Sequence, residues 1–257
     1  MSIKIDTTFD VYSDSRQRDP DSHSPTLRRY HKMLWSKALP DGTYFTLSDA
    51  HPGDYLHHKS QLGEFVLSSD SLGHTYKYVK AMAGITSQMP TSEMDRFFSV
   101  CSTVGAYIVF PARKIDGKTT INAGRGLNRN IRDRFDLTLE CIRLHYVNEA
   151  SPLSAVLTRY ADFFALFENF QSYVDFFLLQ DLVSEDGASI DFFLPFKGFN
   201  NPPLPANLDA YLAYRNNMIA FITSRNLRIV KQAEATPALL QFLIKKLGSR
   251  LHPTPTS

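Results

Sequence analysis

Residues 105–146 constrain the possible folds of this chain more than any other segment. An apolar run at 107–110 has the length of a buried strand and stops at Pro111, since proline has no N–H to continue a strand ladder. A basic loop punctuated by glycines follows, and from about Ile131 apolar residues recur at helical spacing. This order of strand, loop and helix predicts a sheet that packs against helices.

Several other stretches are typical of strands, because they alternate polar and apolar residues or are rich in aromatic and β-branched ones. They are 2–8, 44–47, 55–58, 64–69 and 190–194. We also expect 120–122 to form a paired strand that presents the basic loop. Residues 26–37 fit either a helix or a strand that ends near His31.

Helical spacing dominates the second half of the chain. It predicts helices within 131–183 and at about 207–226 and 236–248. Earlier helices are expected at 91–103 and from Ser71 through Tyr76 towards Met82. The pattern predicts an α+β fold in a single domain. Its parts are a mixed, β-rich part at 1–125, a mainly helical part at 126–250 packed against it, and a frayed tail at 251–257.

Composition narrows the class of protein. With 257 residues, 43% hydrophobic and 21% charged, the chain is typical of an ordinary globular domain. A net charge of +2 excludes a protein whose whole surface binds nucleic acid, so any basic effect is local. Cys101 and Cys141 lie in apolar surroundings and are expected to be buried, reduced thiols. Because no signal pattern and no apolar run of about 20 residues occurs, we expect a cytoplasmic protein with no membrane partner.

Metal chemistry has no recognisable motif in this sequence. His57 and His58 are adjacent, and adjacent side chains on a strand point to opposite faces. Neither cysteine belongs to a CxxC pair, and no HExxH, GxSxG or Walker pattern occurs. We therefore expect no metal cofactor.

The basic loop at 113–134 is a candidate anion-binding site. Its glycines allow the backbone to approach an anion closely, and its arginines match phosphate oxygens with their fork of donors. Asn122 and Arg125 are candidate contacts to a phosphate-bearing cofactor. The candidate nucleic-acid contacts are Lys114, Lys118, Arg129 and Arg132. A solvated loop with local salt bridges explains the same residues equally well.

Two further pieces of sequence, Tyr30-His31 and the stretch 63–71 with Tyr76 beyond it, carry a resemblance to a known family. They resemble the nicotinamide pocket of the ADP-ribosyltransferase superfamily, in its His-Tyr-Glu branch. The resemblance implies that His31 holds the nicotinamide ribose and that the ring lies between two aromatic side chains. The implied pocket residues are Tyr30, Phe65, Ser68, Ser71 and Tyr76, of which Phe65 and Tyr76 form the stacking pair.

The sequence departs from that family at two positions. Lys32 follows His31 where the family has glycine, and Ala106 stands where the family's catalytic glutamate begins a later strand. The role of catalytic acid is therefore open to Glu140, Asp70 or Glu64, and we choose Glu140 ahead of Asp70.

The resemblance implies an intracellular, NAD-dependent ADP-ribosyltransferase with a macromolecular acceptor such as RNA or protein. Such enzymes often act as toxins or defence effectors, which implies a neutralising, antitoxin-type partner. Two alternatives stay open: an RNA- or protein-binding module without catalysis that uses the basic loop, and a metal-independent nuclease that uses His31 or His145. The chain also resembles uncharacterised bacterial proteins that share segments like DPDSHSPTLRRYHKMLWSK and DRFDLTLECIR.

Overall fold

Two small antiparallel sheets lie in the N-terminal half of the protein. The computed structural model describes residues 4–49, 56–61 and 63–235. The smaller sheet pairs β1 (Lys37–Ala38) with β2 (Tyr44–Phe45). The larger sheet has the strand order β3-β4-β5, formed by β3 (Leu56–Ser60), β4 (Gly63–Ser71) and β5 (Tyr107–Pro111).

The strands lie close to where the sequence predicts them. All five residues of β5 are buried, which explains its unbroken apolar pattern and confirms the strand predicted at 107–110. The strands predicted at 44–47 and 64–69 are also confirmed, by β2 and β4. The strand predicted at 55–58 is present from Leu56 onwards as β3.

Helices occupy most of the remaining described chain. In the first half they are α1 (Val11–Asp14), α2 (Pro20–His23), α3 (Pro25–Trp35), α4 (Ala83–Thr86), α5 (Thr91–Cys101) and α6 (Ile121–Leu127). In the second half they are α7 (Phe135–Tyr146), α8 (Ser154–Arg159), α9 (Ala161–Ala165), α10 (Phe170–Phe177) and α11 (Leu208–Ala235). The architecture is α+β, with both sheets in the N-terminal half and a long helix near the C-terminus.

The segment that fits either a helix or a strand is helix α3. Ser24 caps its first turn by accepting a hydrogen bond from the Leu27 N–H at 3.1 Å, and Pro25 occupies the position where a missing N–H costs nothing. His31 therefore lies inside a helix, and a strand that ends near His31 is wrong.

Helix α11 is fixed to the sheet by a buried arginine. Arg225 is fully buried, and its guanidinium donates to the carbonyls of Phe177, Gly105 and Tyr107 at 2.7–3.2 Å. These bonds join α11 to the end of α10 and to the start of β5. The helix predicted at 207–226 is confirmed and extends to Ala235, whereas 236–248 lies outside the described residues.

One predicted feature of the basic loop is wrong, and the helix after the loop starts later than the periodicity predicts. Residues 120–122 form no strand: Thr120 accepts a hydrogen bond from the Ala123 N–H at 3.4 Å and caps α6. The helical periodicity read from Ile131 becomes a helix only at Phe135, because Arg132 and Asp133 have positive φ angles of 48° and 60°.

Three predictions elsewhere in the chain also fail. Residues 4–8 form a turn and no strand. The helix predicted from Ser71 through Tyr76 does not form, since Tyr76 has a φ of 56°, which a right-handed helix excludes. At 190–194 only an isolated bridge from Ile190 to Val183 is present.

Buried apolar residues form one cluster that reaches from Ile5 to Ile229. Much of it is aromatic, and Phe167 lies within 5.0–5.4 Å of the rings of Phe163, Tyr173, Phe176 and Phe177. Cys101 and Cys141 are buried, unpaired thiols, as predicted. No helix in the described part of the chain is both long and apolar enough to cross a lipid bilayer.

Candidate binding cleft

A cleft of about 400 Å³ opens at one end of the three-stranded sheet. The last hydrogen bond between β4 and the chain that leaves β5 runs from the Ala112 N–H to the Val66 carbonyl at 2.8 Å. Beyond it the two segments diverge, and helices α8 and α9 close the third side. The volume lies in the range of small-ligand sites and suits a molecule the size of one nucleotide.

A short turn at 112–119, which we call the cleft turn, forms one wall. The Lys118 N–H donates to the Ile115 carbonyl at 3.0 Å, and Asp116 and Gly117 between them have positive φ angles of 52° and 68°, as in a type I′ turn. The Tyr160 hydroxyl donates to the Arg113 carbonyl at 3.0 Å, which fixes the cleft turn against α8.

An aromatic face lies on the opposite wall. Phe65 is half-buried and stacks on His58, its partner on β3, with ring centroids 6.2 Å apart and an interplanar angle of 10°. Phe163 from α9 forms a T-shaped pair with Phe65, with ring centroids 5.9 Å apart and an interplanar angle of 67°. His58 is buried, and this burial lowers its pKa, which favours the neutral ring. Phe65 therefore has a rigid support for a flat ligand.

The charged side chains of the cleft differ in how many partners they have. Arg113, Lys114 and Lys118 are exposed and make no ion pair within the described residues. Glu64, by contrast, is held by His57 at 2.8 Å and by Lys59 at 3.6 Å. The unpaired cations thus lie on and beside the cleft turn.

Helix α6 divides the predicted basic loop into two parts. At about 1.5 Å per residue this helix is about 10 Å long, so Arg129 and Arg132 lie beyond it from the cleft turn. Both are exposed. Asn122 lies in the first turn of α6 and is half-buried.

Arg125 is a structural residue, which corrects its predicted role as a ligand contact. It is buried, and it donates to Asp70 Oδ2 at 2.5 Å, to the Ser71 carbonyl at 2.9 Å and to the Asp133 carbonyl at 3.0 Å. Its Nε donates to Thr138 Oγ1 at 3.2 Å. These partners use the guanidinium donors that a phosphate would need.

His31 is enclosed by its own hydrogen bonds. The Trp35 Nε1–H donates to His31 Nδ1 at 3.0 Å, so His31 Nε2 carries the proton and donates to Ser69 Oγ at 2.9 Å. Burial lowers the pKa of His31 to about 3, and the ring stays neutral. Its neighbour Tyr30 accepts a hydrogen bond from the Asp6 N–H at 3.2 Å and faces the N-terminal segment.

Phe65 and Tyr76 lie in different parts of the core, so the predicted stacking pair is wrong. Phe65 is near the start of β4 and Ser71 is at its end, about 20 Å away at the usual rise per residue. Tyr76, beyond Ser71, packs on His74 at 4.5 Å and Tyr214 at 5.3 Å. A flat ligand cannot touch both rings across that length.

The other implied pocket residues make their contacts away from the Phe65 ring. The Ser71 hydroxyl donates to the Gly73 carbonyl at 2.8 Å, and Ser68 pairs with Phe110 in the sheet. Both predicted acids are in ion pairs: Asp70 with Arg125, and Glu140 with Arg143 at 2.8 Å. Burial raises the pKa of Asp70.

Residues 5–229 match a family of unknown function, DUF6994. The chain belongs to the DUF6994 family. No curated protein and no solved structure gives a match to this DUF6994 chain. Within the described residues, no group of three or more His, Cys, Asp or Glu side chains is arranged to hold a metal ion.

One side of the cleft in this DUF6994 protein has no clear signal in the sequence. Tyr160, Asp162 and Phe163 belong to a segment whose apolar spacing reads as helical core, and Phe163 is indeed buried. A signal was present in Asp162, a charged residue between a core tyrosine and a core phenylalanine. Only the tertiary fold brings this segment opposite Phe65 and the cleft turn.

Proposed function

We propose that this protein binds single-stranded RNA, with one nucleotide in the cleft and the adjoining phosphates on the cleft turn. One observation carries the proposal: three exposed cations without an ion-pair partner among the described residues adjoin an aromatic cleft of nucleotide size, and they are Arg113, Lys114 and Lys118. Proteins that bind single strands combine a positive surface for the backbone with aromatic faces on which bases stack.

The energetics of such a site follow from its two parts. Stacking of one base on an aromatic side chain contributes about 1–3 kcal/mol, and Phe65 offers the ring face for it. Lys114 and Lys118 displace counterions from phosphates, so affinity falls as salt rises. This local arrangement fits the modest net charge of +2, since the basic surface is confined to one region.

The NAD-dependent transferase stays a prediction with less support. Its implied residues are spread over several parts of the fold, and its two candidate acids are in ion pairs. The nuclease reading has little support too, because His31 uses both ring nitrogens within the protein and His145 packs on Phe164 at 5.2 Å. The toxin or defence role, an antitoxin-type partner and a cytoplasmic location are proposals of the same kind.

Fluorescence anisotropy with a labelled RNA 12-mer of mixed sequence tests RNA binding. The Lys114→Ala/Lys118→Ala variant is expected to bind more weakly than the parent, and the slope of log affinity against log salt should be shallower by about 1.4, at about 0.7 for each lost phosphate contact. Lys80→Ala is the matched control, because Lys80 is also exposed and unpaired but follows the other end of β4.

Three further assays distinguish RNA binding from the transferase and nuclease functions. A DNA 12-mer of the same sequence shows whether the sugar matters. Release of nicotinamide from NAD would favour the transferase, and cleavage of the RNA in EDTA would favour the nuclease. If the double variant binds RNA with the parent's affinity and salt slope, the proposed site is wrong.

A further inference from the structure

Three carboxylates line the cleft: Glu64 is paired with His57 and Lys59, and the other two are groups that a site for phosphate alone would not place there. Asp116 lies on the cleft turn and Asp162 on α9, and both line the cleft. Both are exposed, and neither makes an ion pair within the described residues. Because like charges repel, an anion next to these carboxylates loses affinity. Their presence indicates a ligand that also offers hydrogen-bond donors.

The neighbouring charges do not neutralise these carboxylates. Arg159 lines the same cleft, but its guanidinium donates to the carbonyls of Ala155 at 2.6 Å and Thr119 at 2.5 Å. The Nε of Arg159 is buried and has no hydrogen-bond partner among the described residues.

Asp162 is better placed than Asp116 to meet a stacked base. It precedes Phe163, whose ring forms the T-shaped pair with Phe65. Asp116 lies within two residues of both Lys114 and Lys118, whose charges attract its carboxylate and keep it with the cations of the cleft turn. The base edge would thus meet Asp162, and the phosphates would meet the lysines.

We propose that the cleft selects guanine within the bound RNA, with Asp162 as the specificity-determining residue. The inference rests on the proposed RNA binding. Guanine presents two adjacent donors, its N1–H and its exocyclic amine, which match the two oxygens of one carboxylate. Adenine and cytosine present an amine beside an unprotonated ring nitrogen, and uracil has one N–H between two carbonyls. Each of these bases therefore leaves one carboxylate oxygen of Asp162 without a donor.

Anisotropy with labelled pentanucleotides tests this assignment. The probes are UUUUU and its variants with a central G, A, C or inosine. The base of inosine lacks the exocyclic amine of guanine. The parent protein is expected to bind UUGUU about tenfold or more tightly than UUAUU, as a good bidentate contact allows. Inosine should show an intermediate affinity, because one of its two donors is missing.

Variants assign the preference to one residue. Asp162→Asn should reduce the preference for UUGUU to less than about twofold, because an amide oxygen and an amide N–H cannot both accept from guanine. Its affinity for UUUUU should not fall, since a negative charge near the phosphates is removed. Asp191→Asn, at an exposed aspartate that does not line the cleft, should keep the parent's preference.

The outcomes distinguish this inference from the proposed function. If UUGUU and UUAUU bind equally while Lys114→Ala/Lys118→Ala still weakens RNA binding, guanine selection is wrong and RNA binding stands. If Asp116→Asn removes the preference and Asp162→Asn keeps it, the assignment to Asp162 is wrong. If none of the pentanucleotides nor the 12-mer binds, the proposed function itself fails.

Discussion

Replacement of Arg125 by alanine tests whether this arginine holds the fold together. The side chain is 1% exposed, and its bonds to Asp70, Ser71 and Asp133 join the end of β4 to the segment between α6 and α7. The variant removes the cation and leaves these partners where they are. Its effect is therefore on the free energy of unfolding before any effect on ligands.

The expected magnitude follows from the burial of the pair. The Asp70 side chain is 9% exposed, so little solvent can replace the lost guanidinium. Removing one partner of a buried ion pair costs about 3–5 kcal/mol, because an uncompensated charge remains. We expect the free energy of unfolding to fall by this amount. With a urea dependence of about 2 kcal/mol per M, the denaturation midpoint falls by about 2 M.

The loss of unfolding free energy in Arg125→Ala is also expected to depend on pH. Burial raises the pKa of Asp70 and the charge of Arg125 opposes this rise, so the Arg125→Ala variant has a still higher pKa at Asp70. A folded-state pKa above the unfolded value means that the folded state binds the proton first as pH falls. The variant therefore recovers stability at low pH, and its deficit is larger at pH 8 than at pH 5.

Urea denaturation followed by circular dichroism at both pH values measures this difference. Arg129→Ala is the control, because Arg129 is exposed on the same segment and should change stability by no more than about 0.5 kcal/mol. If Arg125→Ala unfolds at the parent's midpoint, or shows the same deficit at both pH values, the assigned role of the buried pair is wrong.

Three other predictions concern buried side chains. Phe164→Ala should lower the free energy of unfolding by about 3–5 kcal/mol in urea denaturation, because the ring is 1% exposed and packs on Phe163 and Tyr173. His31 has a pKa lowered to about 3, so its NMR signals should not titrate between pH 5 and 8, and His31→Gln should reduce the loss of stability below the model-compound pKa of 6.5. Burial raises the pKa of both cysteine thiols, Cys141 to about 12, so a thiol reagent should modify them only as the protein unfolds.

Local patterns predicted the regular elements because their signals are contained within a few residues. The apolar run at 107–110 is a buried strand, and the spacing within 207–226 belongs to a helix whose buried residues include Tyr211, Tyr214 and Met218. Each pattern reports which side of its own element faces the core. That information is enough to predict an α+β fold with its sheets in the N-terminal half.

Positive φ angles were the main source of error in the fold. Tyr76, Arg132 and Asp133 all adopt left-handed backbone conformations, which residues other than glycine take rarely, although asparagine, aspartate and histidine take them more often than the rest. They are stabilised by contacts between distant segments, such as the Tyr76 hydroxyl donating to the Arg132 carbonyl at 2.9 Å. The sequence contains no local signal for such a contact, so helices were predicted to continue through these positions.

The candidate site was only partly predictable for a similar reason. Lys114, Lys118 and Phe65 were selected from the sequence as binding residues, yet for different ligands in different pockets. Their association depends on where β5 separates from β4 and on the position of α9. The signal at Asp162 is weak, because a lone acidic residue on a helix is most often a solvated one.

The basic loop contains both buried and exposed arginines, so a test of its RNA binding must separate effects on the fold from effects on the ligand. Arg125 and Arg134 donate to acceptors within the protein, including Asp70 and Asp136, and have few donors left for phosphate. A loss of RNA affinity in Arg125→Ala would therefore act through the fold. The loss of RNA affinity in Arg125→Ala should become smaller under conditions that restore the folded state, such as lower temperature. The loss of RNA affinity in Lys114→Ala should persist under the same conditions, because that exposed side chain does not stabilise the fold. Affinity and stability measured on the same samples separate the two causes.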